Sequence, residues 1–146
     1  MSDFIYSSTP KLKGELSNYI REIYHVEEPL IYEYQGEWGS LAVSQNLYKG
    51  LDPYETEEYL CVVIGGPVLC FRDNLFLTGD NPIAGTKAIY DRWISGEIQF
   101  HKDLSGPFVL LFIDKLNNKV FCVTDLLMFI PVYQFAENEN FFWGTH

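Results

Sequence analysis

Apolar residues recur at spacings of three and four in two stretches of the chain, which is the pattern of a helix with one buried face. The first stretch predicts a helix over residues 10–24, with an inner face of Leu12, Leu16, Tyr19, Ile20 and Ile23. The second predicts a helix over residues 85–100, with Thr86 as its candidate cap and an inner stripe of Ala88, Ile89, Trp93 and Ile94. Both apolar faces are expected to pack against a sheet.

The rest of the chain has the apolar pattern of strands. A continuous apolar run over residues 59–64 ends at Gly65-Gly66-Pro67, which predicts a buried strand followed by a sharp turn. Further strands are expected at residues 4–6, 108–114, 119–124, 132–135 and 141–143. A polar turn at residues 115–118 joins two of these strands as a hairpin. Many strands with two helices predict an α+β domain whose sheets are mostly antiparallel.

The size and the charge of the chain narrow the classes of function. With 146 residues, of which 47% are hydrophobic, the sequence predicts a single domain over residues 1–146. Its net charge of −10 argues against nucleic acids and anionic membranes as partners, because both are polyanions. A basic protein is the natural complement.

Targeting signals and cofactor sites are not recognised in the sequence. No stretch approaches the ~20 apolar residues that cross a bilayer, and the amino terminus lacks the order of a signal peptide, so a cytoplasmic location is expected. The odd number of cysteines, each within an apolar run, predicts buried free thiols: Cys61, Cys70 and Cys122. The three histidines are far apart in sequence, so neither a metal site nor any other cofactor is predicted.

The last third of the chain carries a distinctive run of motifs. LSGPFVLLFID spans residues 104–114, VFCVTD spans 120–125, PVY spans 131–133 and FWGT spans 142–145. This run resembles the class II glutamine amidotransferase domain of asparagine synthetases, in which a Gly-x-Phe strand ending in Asp precedes an Arg-Asp and a Pro-Leu-Tyr. The resemblance implies the α/β/β/α sandwich of amino-terminal nucleophile hydrolases. Asp114 and Asp125 are then expected to accept hydrogen bonds in turns.

The same resemblance implies a degenerate active site. Where the family has its amino-terminal Cys nucleophile, this chain has Ser2. The oxyanion-hole Asn-Gly pair corresponds to Ile64-Gly65, a loss that alone should cost ~10²-fold or more in rate. The Asp that binds the glutamine amine corresponds to Gly85, and the segment expected to hold the carboxylate-binding Arg offers only Lys49. The chain is therefore not expected to be a working glutaminase.

An acidic segment supplies the candidate binding residues Asp52, Glu55, Glu57 and Glu58. Such a run is either a solvated loop or a docking surface for a basic protein. The second reading predicts a non-catalytic binding protein, in concrete form an immunity protein that neutralises a basic bacterial toxin such as a nuclease. The alternative is a glutaminase-like domain or subunit of an amide-forming enzyme similar to asparagine synthetase. The ATP-binding loop of such an enzyme is missing from this chain.

Overall fold

A computed structural model describes residues 2–25 and 27–146 of the chain. The strands, in chain order, are β1 Phe4–Ser7, β2 Ile31–Gly36, β3 Gly39–Ser44, β4 Tyr54–Glu55, β5 Tyr59–Gly65, β6 Val68–Leu69, β7 Leu104–Ser105, β8 Phe108–Asp114, β9 Lys119–Thr124, β10 Tyr133–Glu137 and β11 Asn140–Gly144. The helices are α1 Glu15–Ile23, α2 Ala84–Ile94 and α3 Phe100–Asp103. The chain forms two compact units, one of which consists of Asn46–Ile130 and the other of the segments on either side of it.

The unit formed by the two ends of the chain is built on a five-stranded antiparallel sheet with the order β10-β11-β1-β3-β2. Helix α1 packs on one face of this sheet, where Leu16 and Ile20 meet Ala42 of β3. These three side chains are almost fully buried, so the apolar face of α1 packs against the sheet of its own unit.

The central unit is built on a four-stranded antiparallel sheet with the order β4-β5-β8-β9, beside a small sheet of β6 and β7. The predicted hairpin of β8 and β9 is confirmed, since Asp114 pairs with Lys119 across it. In its turn, Asp114 Oδ1 accepts hydrogen bonds from the backbone N–H groups of Leu116 (3.1 Å) and Asn117 (3.0 Å). The expected turn role of Asp114 is therefore confirmed.

The core of the central unit lies between its sheet and α2. Strands β5 and β8 are almost continuously apolar and buried. Trp93 of α2 stacks on Phe112 of β8, with ring centroids 4.2 Å apart. The buried members of this core are Leu51, Cys61, Val63, Leu69, Phe76, Ile89, Leu104, Phe108, Leu110 and Phe112. The continuous apolar runs at residues 59–64 and 108–114 therefore form buried strands, as predicted.

Both helices are shorter than the sequence predicts. Helix α1 begins only at Glu15, after Gly14 in a left-handed conformation (φ +88°), and Leu12 is 82% exposed instead of lying on the inner face. Helix α2 ends at Ile94, and Gly96 follows with φ +73°. A residue in this conformation ends a helix, because it turns the chain away from the helical path. Thr86 lies inside α2 and does not cap it.

The predicted fold class is wrong. The described residues form eleven strands in three sheets with three short α-helices and a 3-10 helix at Leu75–Leu77, about 19% helix in all. They do not form an α/β/β/α sandwich of the amino-terminal nucleophile hydrolase type with two main helices. One physical reason is that glycines in left-handed conformations shorten both helices: Gly14 delays the start of α1, and Gly96 follows the early end of α2. The other is that residues outside the predicted strands pair as short strands: β4 lies in the acidic segment that was expected to be a loop, and β7 precedes the predicted strand 108–114.

The cysteines are free thiols, as predicted, but they are not all buried. Burial raises the pKa of Cys61 to about 12 and that of the partly buried Cys122 to about 11. Cys70 is exposed, so the prediction of burial is wrong at this position. Cys70 directly follows the two-residue strand β6, where the chain leaves the small sheet.

Candidate protein-binding surface

Ser2, the position of the expected nucleophile, is held inside the structure. Its side chain is 1% exposed, and its Oγ has no hydrogen-bond partner among the described residues. The adjacent Asp3 fixes this end of the chain, because its Oδ1 accepts a hydrogen bond from Thr145 Oγ1 at 3.1 Å and lies 2.9 Å from His146 Nε2. A side chain so enclosed offers no access to an amide substrate in this conformation.

The end of β5, which corresponds to the expected oxyanion hole, is closely packed by neighbouring residues. Ile64 is fully buried, and Gly65 has φ +84°. The nearest side-chain amide is that of Asn46, whose Nδ2 donates to the carbonyl oxygens of Val63 (2.9 Å) and Gly65 (2.8 Å). Both amide hydrogens are therefore committed to backbone oxygens, and Asn46 stabilises the strand end rather than an anion. No local pattern in the sequence predicts this role, because Asn46 lies 17 and 19 residues from the backbone groups that it binds.

Gly85, the position of the expected amine-binding carboxylate, has no space for a side chain. A Cβ atom here would lie 2.6 Å from Phe76, 2.7 Å from Leu51 and 2.9 Å from the carbonyl oxygen of Gly50. The Gly85 N–H donates to that same oxygen at 2.7 Å. The first turn of α2 is thus packed against a loop of its own unit and presents no ligand-binding group at this residue.

The acidic segment does not form one cluster of free carboxylates. Glu55 Oε1 pairs with Lys115 Nζ at 2.6 Å, and the same Nζ donates to the carbonyl oxygen of Thr56 at 2.8 Å. Asp52 is partly buried, and this burial raises the pKa of its carboxyl group. Of the four predicted binding residues, Glu55 is therefore held in an ion pair and Asp52 is partly removed from solvent.

Glu57 and Glu58 remain as the exposed part of the acidic segment. They lie in the turn between β4 and β5, which Thr56 closes because its Oγ1 accepts hydrogen bonds from the N–H groups of Glu58 (3.3 Å) and Tyr59 (3.0 Å). Both glutamates are exposed on this fixed turn. They can contact a cation on a partner without first giving up an ion pair recorded among the described residues.

A second surface feature of the central unit is an apolar loop directly after β9. Its four consecutive residues are largely exposed: Leu126 (91%), Leu127 (69%), Met128 (50%) and Phe129 (63%). A run of large exposed hydrophobic side chains is a surface feature that marks an interaction site, because burying each side chain against a partner is favourable. We refer to residues 126–129 as the apolar loop.

Asp125 holds the apolar loop in a defined shape. Its Oδ1 accepts hydrogen bonds from the N–H groups of Leu127 (3.0 Å) and Phe129 (3.2 Å), while its carbonyl oxygen accepts from Met128 at 3.1 Å. The turn places Met128 at φ +50°. The expected turn role of Asp125 is confirmed, and its consequence is a loop presented in one conformation, which lowers the entropy lost on binding.

Beside the apolar loop runs a groove of about 380 Å³. Its walls are largely apolar and include Phe100, Leu104, Phe108, Leu127 and Phe129. The volume is enough for one or two large side chains of a bound partner. This surface was not predictable from the sequence, because four apolar residues after a strand are equally typical of a buried core. Only the folded chain shows that they face solvent.

The comparisons with known proteins leave the chain without an assigned family. No protein-family model matches it, and no curated protein matches it significantly. Among residues 2–25 and 27–146, no helix is long and apolar enough to span a membrane. The same residues contain no group of three or more His, Cys, Asp or Glu side chains arranged to hold a metal ion.

Proposed function

We propose that this chain is a non-catalytic binding protein that captures a basic protein, in concrete form an immunity protein that neutralises a basic bacterial toxin. The observation that carries the proposal is the apolar loop, whose four large side chains are exposed although Asp125 fixes their backbone. The net charge of −10 indicates the sign of the partner. Three positions compared with a glutaminase site, Ser2, Ile64 and Gly85, support a binding role, because packing encloses them, whereas Lys49 is exposed.

Capture would combine two physical effects. The long-range field of an acidic protein attracts a cationic partner and speeds encounter, with exposed carboxylates such as Glu57 and Glu58 contributing. The apolar loop then supplies the short-range free energy, because burying a Leu or Phe side chain is worth about 1.5–3 kcal/mol. Interfaces generally have this division, with an apolar centre and a polar rim.

A growth assay tests the proposal. A host that expresses a basic protein toxin to which the purified chain binds should be rescued by the wild-type chain and by Leu116→Asp, but not by Leu127→Asp. Leu116 is the matched control because it is also an exposed leucine (64%) in a turn of the same unit. Unaltered growth inhibition with the wild-type chain would contradict the proposal, as would equal rescue by both folded variants.

A second candidate is an amidotransferase-like domain or subunit that serves an amide-forming synthetase. The spacing of Asp125 to Pro131 and Tyr133, which matches the resemblance described above, favours it. This candidate predicts that an adenylating synthetase co-purifies with the chain from its native host. It also predicts that removal of the apolar loop side chains leaves growth in the presence of a toxin unchanged.

A further inference from the structure

Strand β10 is an edge strand with an open side. It pairs with β11 through five consecutive residue pairs and is the outermost strand of its five-stranded sheet. All five of its residues, Tyr133 to Glu137, are exposed. Because each strand of a sheet has backbone N–H and C=O groups on both sides, the free side of β10 can accept another strand.

Strand β10 has few of the usual protections of an edge strand, since its one charged side chain is Glu137 at its carboxyl end. Its pairing with β11 has no bulge, and its sequence YQFAE contains neither Pro nor Lys. The opposite edge, β2, differs: most of its residues are partly buried, and Glu33 accepts hydrogen bonds from the N–H of Gly14 at 2.9 and 3.1 Å. Of the two edges of this sheet, β10 is the one left open for pairing.

Two large aromatic side chains project from the same face of β10. Tyr133 and Phe135 are 59% and 60% exposed, and strand alternation places both on the face that also carries Glu137. Phe135 lies next to Phe142 of β11, with ring centroids 6.3 Å apart. The exposed edge therefore offers apolar contacts in addition to backbone hydrogen bonds.

We propose that β10 pairs with β10 of a second copy of this chain, in antiparallel orientation, to form a continuous ten-stranded sheet. The register that pairs all five residues places Phe135 opposite Phe135 of the second copy and Tyr133 opposite Glu137. This register is self-complementary in charge, because the one charged residue of β10 faces a tyrosine and never its own copy. A basic strand would find a single carboxylate here, which is why a second copy fits better.

The proposal does not depend on capture of a basic partner, and salt separates the two. Two copies that each carry −10 repel at long range, so raised ionic strength should strengthen their association. Capture of a basic protein should weaken under the same change. Failure of one prediction therefore leaves the other intact.

Sedimentation of the purified chain over a series of concentrations tests the pairing. The wild-type chain and Leu116→Lys should shift toward the mass of a dimer as concentration and salt rise. Phe135→Lys places two ammonium groups opposite each other and should weaken association by about tenfold or more. Circular dichroism checks that the variants fold. A wild-type chain that stays monomeric throughout would overturn the proposal, as would a folded Phe135→Lys that associates as well as wild type.

Cysteine cross-linking tests the register without a new charge. In a background of Cys70→Ser, Phe135→Cys should form a disulfide between copies under mild oxidation, since directly opposed residues have Cα atoms about 4.5–5.5 Å apart. Glu137→Cys is the matched control. In the proposed register, residue 137 lies opposite Tyr133 of the second copy, four residues away from residue 137 of that copy. Equal cross-linking of the two variants, or none with Phe135→Cys, would overturn the proposed pairing.

Discussion

Gly65 shows how a single residue limits what the end of β5 can become. It has φ +84°, and a Cβ atom there would lie 2.5 Å from the carbonyl oxygen of Pro107 and 2.7 Å from Ile130 Cδ1. Gly96 has a similar φ of +73° but no atom within 4 Å of the same position. The two glycines therefore separate the cost of backbone strain from the cost of a steric clash.

Alanine substitution at each glycine allows the two costs to be measured as changes in the free energy of unfolding. Gly96→Ala should lower the free energy of unfolding by about 1 kcal/mol, the cost of a left-handed conformation. Gly65→Ala should lower the free energy of unfolding by about 2 kcal/mol more than Gly96→Ala does, because a steric clash adds to the same backbone strain. Urea unfolding of both variants measures the difference. Equal losses would contradict the close approach of Pro107 to Gly65.

Turn residues were predictable from sequence, and residues that act across the chain were not. Asp114 and Asp125 accept hydrogen bonds from residues two to four positions further on, so the local sequence contains both donor and acceptor. Asn46 donates to backbone atoms 17 and 19 residues away, and Ser2 is enclosed by the folded chain. Their roles depend on tertiary structure, for which the sequence gives no local pattern.

At the scale of elements, a partly buried ion pair joins α2 to α3. Arg92 of α2 donates to both carboxylate oxygens of Asp103 in α3, at 2.7 and 3.2 Å, and the N–H of Gln99 donates to Asp103 Oδ2 at 2.7 Å. The hydrogen bonds from Arg92 hold the pKa of the Asp103 carboxyl below its ordinary value. The charged form of Asp103 is thus the one that stabilises this connection.

The lowered pKa predicts how stability depends on pH. Asp103 contributes its full stabilisation above the unfolded pKa of about 3.9 and loses it as pH falls through the lower folded pKa. Asp103→Asn should therefore lower the melting temperature near neutral pH, and this difference from wild type should shrink in acid. Asp80→Asn, at an exposed carboxyl, is the control and should change little. A difference that is the same at pH 7 and in acid would contradict the pairing.

Strands were easier to predict than helix ends. The apolar runs of β5, β8 and β9 appear within a residue of their predicted bounds, because burial on a sheet follows directly from local composition. Helix ends were misplaced because Gly14 and Gly96 take left-handed conformations that periodicity does not reveal. The short strands β4 and β7 have two residues each, too few for any repeating pattern.

At the scale of the whole molecule, charge and the apolar loop lead to the same class of function. The net charge follows from composition alone, and it indicates the sign of an expected partner without locating a binding surface. Of the predicted acidic segment, Glu57 and Glu58 stay exposed and without a recorded ion pair, whereas Lys115 engages Glu55. The apolar loop emerged only from the folded chain, because exposure is a property of tertiary structure.

The most direct test of the binding role is an affinity purification from the native host, with the wild-type chain, Leu116→Asp and Leu127→Asp as baits and mass spectrometry as the readout. We predict that a basic, toxin-like protein is retained in equal amount by wild type and Leu116→Asp. It should be lost from Leu127→Asp and released from the others by raised salt. Recovery of an adenylating synthetase, or equal retention of the basic protein by all three baits, would contradict the account.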